Sequence, residues 1–176
     1  MRKTSDVRVF FALWPDDSVR LDIQKAALAI NLPGAARRVP QYNLHMTLHF
    51  IGNVSLSQRD CLSEQAEQVR AAPFELSIDS TGYFQKPKVV WLGLTDPPQA
   101  LFDLHHQLGQ SLTRCQYHPE TRSYSPHVTV MRKVPEVPAA GDFVPVRWPV
   151  RQFTMINSCA TPHGVRYEVF KTYDLQ

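Results

Sequence analysis

The sequence predicts an α+β fold built from two similar lobes that face each other across a cleft. Three observations carry that expectation. Strand-like runs are separated by helical patterns, and two strand-like runs close the chain. His45-Met46-Thr47-Leu48 nearly recurs, 82 residues later, as His127-Val128-Thr129-Val130. Two apolar strand candidates, Phe10-Phe11-Ala12-Leu13 and Trp91-Leu92-Gly93-Leu94, stand 81 residues apart, and each is followed by a helical pattern and then its histidine. A near-constant offset over strand, helix and strand predicts a duplicated unit within one domain, residues 1–176.

Taken in order, residues 7–14 read as a strand ended by Pro15. Asp16, Asp17 and Ser18 can cap a helix whose apolar face is Val19, Ile23, Ala26 and Ile30, and Pro33-Gly34 ends it. The His45 strand (residues 43–51) follows and stops near Gly52. Ser57-Gln58-Arg59-Asp60 resembles a capping box, opening a helix with Leu62, Ala66 and Val69 on one side. Phe74 to Ile78 alternates as a half-buried strand, a turn is expected near Gly82, and residues 89–94 form another strand. Pro97-Pro98 opens a third helix, with Leu101, Leu104, Leu108 and Leu112 along one face. His105 and His106 on that helix point about 100° apart, which fits surface residues better than a shared metal. After the His127 strand, residues 134–149 hold five prolines and glycines and read as irregular chain or a sheet edge, either bordering the cleft or simply connecting. Strands at 152–158 and 165–173 meet at the Pro162-His163-Gly164 turn.

Composition narrows the function classes. The chain is 43% hydrophobic and 20% charged, as ordinary globular proteins are. No run approaches the length of a membrane span, and the charged N-terminal residues lack the apolar stretch of a secretory signal, so no membrane partner is expected. Cys61, Cys115 and Cys159 are dispersed and odd in number, which predicts neither a disulfide framework nor a zinc site and points to the cytoplasm. The net charge of +3 suits an anionic substrate. Arg37 and Arg38 precede the first histidine motif, Arg122 precedes the second, and Arg132 and Lys133 follow it.

The paired motifs carry the chemistry. Successive side chains on a strand point to opposite faces, so each His-x-Thr presents an imidazole and a hydroxyl together while Met46, Leu48, Val128 and Val130 point into a core. Chance alone supplies roughly 0.4 such triplets in a chain of this composition, and these two share their surroundings. Two such strands facing each other would bring two proton-transfer groups and two hydroxyl donors around one small anion. Histidine suits both the base and the acid role because its ordinary pKa of about 6.5 populates both forms near neutrality. Thr47 and Thr129 can donate hydrogen bonds to non-bridging oxygens, and Arg132 can add a charge-assisted one. Strict alternation aims Arg132 away from the His127 face, so a bulge or strand end must redirect it. By the same parity His49 shares the His45 face, as a support behind the catalytic groups or a wall of the cleft rather than a catalyst. Tyr124 and Phe84 are candidate platforms for a nucleobase. No phosphate-binding glycine loop and no carboxylate–histidine cluster accompanies the motifs, so neither ATP, another cofactor nor a metal is expected.

His45-Met46-Thr47-Leu48-His49-Phe50 and Ser125-Pro126-His127-Val128-Thr129-Val130-Met131-Arg132 resemble the paired motifs of the 2H phosphoesterases, and most closely those of the bacterial RNA 2′,3′-cyclic phosphodiesterases, also called 2′-5′ RNA ligases. Arg8-Val9-Phe10-Phe11-Ala12-Leu13 and Val89-Val90-Trp91-Leu92-Gly93-Leu94 resemble that family too, so the likeness spans nearly the whole chain. The resemblance implies two pseudo-symmetric, antiparallel-rich lobes, not strictly sequential because the termini join one lobe. It implies His45 as the proton donor to the leaving oxygen and His127 as the acceptor from water. The expected activity is opening of an RNA 2′,3′-cyclic phosphate to a 2′-phosphomonoester, with reversible ATP-independent 2′-5′ ligation, by a monomer acting on RNA or oligonucleotide ends such as tRNA halves. The alternatives are the same machinery on 2′-5′ oligonucleotides or small cyclic nucleotides, and a non-catalytic RNA-binding protein.

Overall fold

The computed structural model describes residues 6–176. In chain order these form β1 (Val7–Leu13), α1 (Asp17–Leu28), β2 (Arg37–Arg38), a 3₁₀ turn at Gln41–Asn43, β3 (Met46–Val54), α2 (Leu56–Ala66), β4 (Phe74–Ile78), β5 (Ser80–Phe84), β6 (Val89–Gly93), α3 (Gln99–Leu112), a 3₁₀ turn at Thr113–Cys115, β7 (His127–Arg132), β8 (Val146–Val150), β9 (Gln152–Thr161) and β10 (Gly164–Asp174).

Local signals start the helices. The Asp16 carboxylate accepts the Val19 N–H at 2.9 Å and opens α1, which buries Val19, Ile23 and Ala26. Ser55, not Ser57, caps α2 by accepting the Gln58 N–H at 3.1 Å. The four leucines of α3 are all fully buried.

One antiparallel sheet runs β10-β9-β1-β3-β7-β6-β5, with β2 alongside β7, and β4 and β8 form a separate pair. The termini therefore share a half: β1, β3, β9 and β10 on one side, β5, β6 and β7 on the other. The halves join where Met46 pairs with Val128. Those two residues are also 82 apart, so the contact between halves falls on equivalent positions, as a two-fold axis between antiparallel strands requires. The main core lies on the helical face of the sheet, while a small cluster of Phe10, Ala12, Ile156, Trp14 and Tyr167 lies apart from it.

Several expectations are corrected. The turn near Gly82 is strand β5, with Gly82 opposite Trp91, and a Cβ on Gly82 would collide with the indole. Ala12 faces Thr47 and Trp91 faces Thr129, so Trp91 corresponds to Ala12 and the Phe10 alignment is two residues out. The proline-rich stretch contains β8, whose Pro149 sits opposite Glu75 in a two-stranded pair that tolerates a missing donor. Cys61 and Cys115 form a disulfide joining α2 to the turn after α3, against the expectation of none, and Cys159 is free. Nothing local in the sequence signals a bond between cysteines 54 residues apart.

Candidate active site

The Met46–Val128 pair determines the arrangement of the motifs. Continuing that register by one residue in each direction sets His45 across from Thr129 and Thr47 across from His127. Directly opposed side chains have Cβ atoms about 4.5–5.5 Å apart and diagonal ones about 7–8 Å, so the two imidazoles sit diagonally with a hydroxyl beside each.

Both imidazoles are held by one device. The Nδ1–H of His45 donates to the Asn43 carbonyl at 2.7 Å, and that of His127 donates to the Ser125 carbonyl at 2.8 Å. A carbonyl only accepts, so Nδ1 carries the proton in each neutral ring and Nε2 is left to take or give one. Asn43 is itself anchored by its side-chain amide, which donates to the Val165 carbonyl of β10 at 3.0 Å.

The surroundings of the two rings differ. His45 lies among Phe10, Trp14 and Tyr167, with centroids 5.0, 5.9 and 5.2 Å away. Burial, then the charges of Arg132, His127 and Arg20, push its pKa down to about 4 despite the opposing hydrogen bond to Asn43. His127 packs against Phe84 at 5.1 Å and Trp91 at 6.1 Å, and its pKa is also lowered, by burial and then by Arg132.

The redirecting bulge exists. Val90 pairs with Met131 and Trp91 with Thr129, which leaves Val130 as the extra residue of β7. Met131 then turns into the core and Arg132 into the cleft. The cleft, about 750 Å³, is lined by His45, Thr47, Thr129, Arg132, Lys133 and Arg37 among others, and by no carboxylate. Arg37 lies directly across from Arg132 on β2. Like charges opposed on neighbouring strands repel, and an anion between them relieves that repulsion. Arg38 instead donates to the Ala27 and Ile30 carbonyls at 2.6 and 2.9 Å, closing the end of α1, and Arg122 pairs with Glu120. None of residues 134–149 lines the cleft.

A model of the 2′-5′ RNA ligase superfamily matches residues 15–158. The chain belongs to that superfamily. Family relatives include the RNA 2′,3′-cyclic phosphodiesterase of Escherichia coli, 32% identical over 173 residues and covering 96% of both chains. The protein of the same name from Archaeoglobus fulgidus is 26% identical, covering 96% of this chain and all of its own. Among solved structures, E. coli LigT complexed with 3′-AMP superposes with a TM-score of 0.88 at 30% identity, covering 98% of this chain and 99% of that one.

Within this family fold, three sequence expectations move. The pairs Ala12–Thr47 and Phe11–His49 leave Leu48 as the extra residue of β3, so parity fails after Thr47. His49 therefore turns into the core, 4% exposed, instead of walling the cleft. There its Nε2–H donates to the His105 carbonyl at 2.7 Å and its Nδ1 accepts from the Tyr117 hydroxyl at 3.1 Å. His105 is no surface residue: its ring lies flat between His49 at 4.1 Å and Tyr124 at 4.0 Å. Burial, the largest cause, lowers its pKa to about 4. Tyr124 is a strut rather than a base platform, since one face of its ring is covered by His105 and its hydroxyl donates to the Thr47 carbonyl at 2.9 Å. Phe84 is only half-buried and stays beside His127. Phe10, Trp14, Tyr167 and Trp91 were missed in the sequence because they reach the histidines from neighbouring strands.

Proposed function

We propose that this protein is an RNA 2′,3′-cyclic phosphodiesterase that opens the terminal cyclic phosphate to a 2′-phosphomonoester by paired-histidine acid–base catalysis, as one duplicated domain acting as a monomer. The carrying observation is the crossed register, which sets His45 and Thr47 diagonally against His127 and Thr129 at a cationic cleft lined by His45 and both threonines. His127 Nε2 takes a proton from water as the water oxygen bonds to phosphorus. The bond from phosphorus to the ribose 3′ oxygen breaks, and His45 Nε2 delivers its proton to that oxygen. Thr47 and Thr129 hold the non-bridging oxygens, and Arg132 offsets their negative charge. His45 lies further from its protonated form in the free protein than an acid wants. The bound phosphate's charge offsets that of Arg132 and makes His45 the donor. With an RNA 5′ hydroxyl replacing water as the nucleophile, the same steps make a 2′-5′ linkage without ATP, their reversal cleaves that linkage back to the cyclic phosphate, and tRNA halves are substrates of the right kind. The relatives named RNA 2′,3′-cyclic phosphodiesterase support the substrate class.

The test is turnover of a cyclic-phosphate-ended oligonucleotide with end-group analysis, in EDTA. His45→Ala and His127→Ala should each lower turnover about 10²- to 10⁴-fold, the worth of one proton transfer. Full activity in either variant, or a 3′-phosphate product, defeats the mechanism.

A further inference from the structure

Residues 116–126, which lead into the His127 motif, belong to no helix or strand and are mostly exposed. Two side chains turn inward from this strap, Tyr117 and Tyr124. Both end on a file of rings contributed by β3 and α3. Tyr117 meets His49 edge-on at 5.6 Å, His49 lies flat on His105 at 4.1 Å, and His105 lies flat on Tyr124 at 4.0 Å. The planes of the two flat contacts differ by only 16° and 11°. Phe102, on the turn of α3 before His105, meets the edge of Tyr124 at 6.1 Å. Space for the file is built into the helix: a Cβ on Gly109, one turn after His105, would come within 2.8 Å of the His49 ring. Glycine weakens a helix interior, so the missing side chain disfavours α3 and makes room for the imidazole.

We propose that His105 is a positioning residue: its ring, held between His49 and Tyr124, aims the Tyr124 hydroxyl at the Thr47 carbonyl and thereby sets the Thr47 hydroxyl for the phosphate. This role rests on the cyclic-phosphodiester reading of the cleft. Tyr124 comes from a strap without strand partners, so the aim of its hydroxyl depends on the surface its ring lies on, and that surface is His105. His105 is fixed in turn by His49, which backs its ring and whose Nε2–H donates to its carbonyl at 2.7 Å. The Tyr117 hydroxyl donates to His49 Nδ1 at 3.1 Å and completes the clamp. Burial, then the charges of His49 and His106, lower the His105 pKa to about 4, against the bond to the Leu48 backbone and the charge of Glu120. Burial lowers His49 as well, against its bond to the His105 carbonyl and Glu120. Near pH 7 both rings are therefore neutral, as a flat stack of imidazoles requires, since two cations at that distance would repel.

The experiment measures kcat and KM on a cyclic-phosphate-ended oligonucleotide for the full chain carrying His105→Ala, His105→Asn or His105→Phe, and for His105→Ala combined with Tyr124→Phe. Asparagine keeps a polar group without the ring, and phenylalanine keeps the ring without a charge. His105→Ala and His105→Asn should lower kcat about 10- to 100-fold with KM little changed, the loss from misplacing one hydroxyl. His105→Phe should restore it. In the Tyr124→Phe background no hydroxyl remains to be aimed, so His105→Ala should change kcat no further. If His105→Ala does not fold, the contrast between His105→Asn and His105→Phe decides by itself. A second readout needs no turnover. The ¹³C resonance of the Thr47 carbonyl reports its hydrogen bond, and it should move alike in His105→Ala, His105→Asn and Tyr124→Phe while staying in place in His105→Phe. Additive losses in the double variant, wild-type kcat in His105→Ala, rescue by asparagine rather than phenylalanine, or an unmoved carbonyl resonance in the ringless variants overturns the assignment. Failure of the wild type to open any cyclic phosphate sinks the catalytic reading instead, and the carbonyl resonance still decides His105.

Discussion

Changing pH and removing Arg132 together test the electrostatics of the histidine pair. The proposed mechanism needs one proton shared between two imidazoles, one ring starting charged and the other neutral. In the free protein both pKa values lie below 6.5, His45 at about 4 and His127 lowered by burial and by Arg132. The singly protonated pair is therefore most abundant below pH 6.5 whichever ring holds the proton. At pH 7 a group of pKa about 4 is protonated in only about one molecule in 10³. Because kcat/KM reports the free enzyme, it should be bell-shaped with its maximum below pH 6.5, falling about tenfold per unit on the alkaline side. The cyclic diester keeps one charge throughout and contributes no slope. Bound phosphate raises both imidazoles, so the kcat profile should lie to the alkaline side of the kcat/KM profile. Arg132→Gln removes a cation that depresses both rings, so both values rise and the bell moves to higher pH. Its height falls about 10- to 150-fold through the lost charge-assisted hydrogen bond. The assay is initial rate on a cyclic-phosphate-ended oligonucleotide across pH 4–9 at constant ionic strength. A kcat/KM plateau through pH 7–8, or an acid shift in the variant, refutes the argument.

Two further outcomes are expected. Reducing the Cys61–Cys115 bond releases a loop spanning 54 residues, about 4 kcal/mol in chain entropy, and should lower the melting temperature by about 8–16 °C in calorimetry with reductant; an unchanged melting temperature would contradict the bond. Tyr124→Phe keeps the stack on His105 but strands the Thr47 carbonyl, at about 1–3 kcal/mol. It should lower kcat with KM little changed, and wild-type kcat would show that the bond does not position Thr47.

What the sequence could reveal was what depends on short-range periodicity. The leucine spacing of α3 and the Asp16 cap of α1 are local rules, and both hold. His45 with Thr47 and His127 with Thr129 rest on two-residue alternation, and it survives as far as each threonine. It fails one residue later because a bulge leaves no local signature in apolar text. The need for a bulge was visible at Arg132, which could not otherwise reach the cleft. Carried back 82 residues, the same bulge would have sent His49 inward and Phe50 outward. Long-range contacts were hidden for a different reason. Nothing near Cys61 names Cys115, and nothing near His105 shows it lying between His49 and Tyr124.

Tyr124 also explains how the two halves stay in register with so little sheet between them. β3 and β7 share only the Met46–Val128 pair, after which the bulges lead them apart. Three residues before His127, the Tyr124 hydroxyl crosses to the Thr47 carbonyl, tying the approach to one motif to the middle of the other. No equivalent bond is available from the first half, because Tyr42, the residue 82 earlier, faces the cleft. The two-fold is therefore kept where it aligns the imidazoles and hydroxyls, and broken at the positions around them. That breaking is necessary. In the proposed mechanism two matched His-x-Thr pairs would treat the attacking and leaving oxygens alike, so its direction must come from features that differ between the halves, such as Arg132 in one cleft wall and the deeper burial of His45 against that of His127.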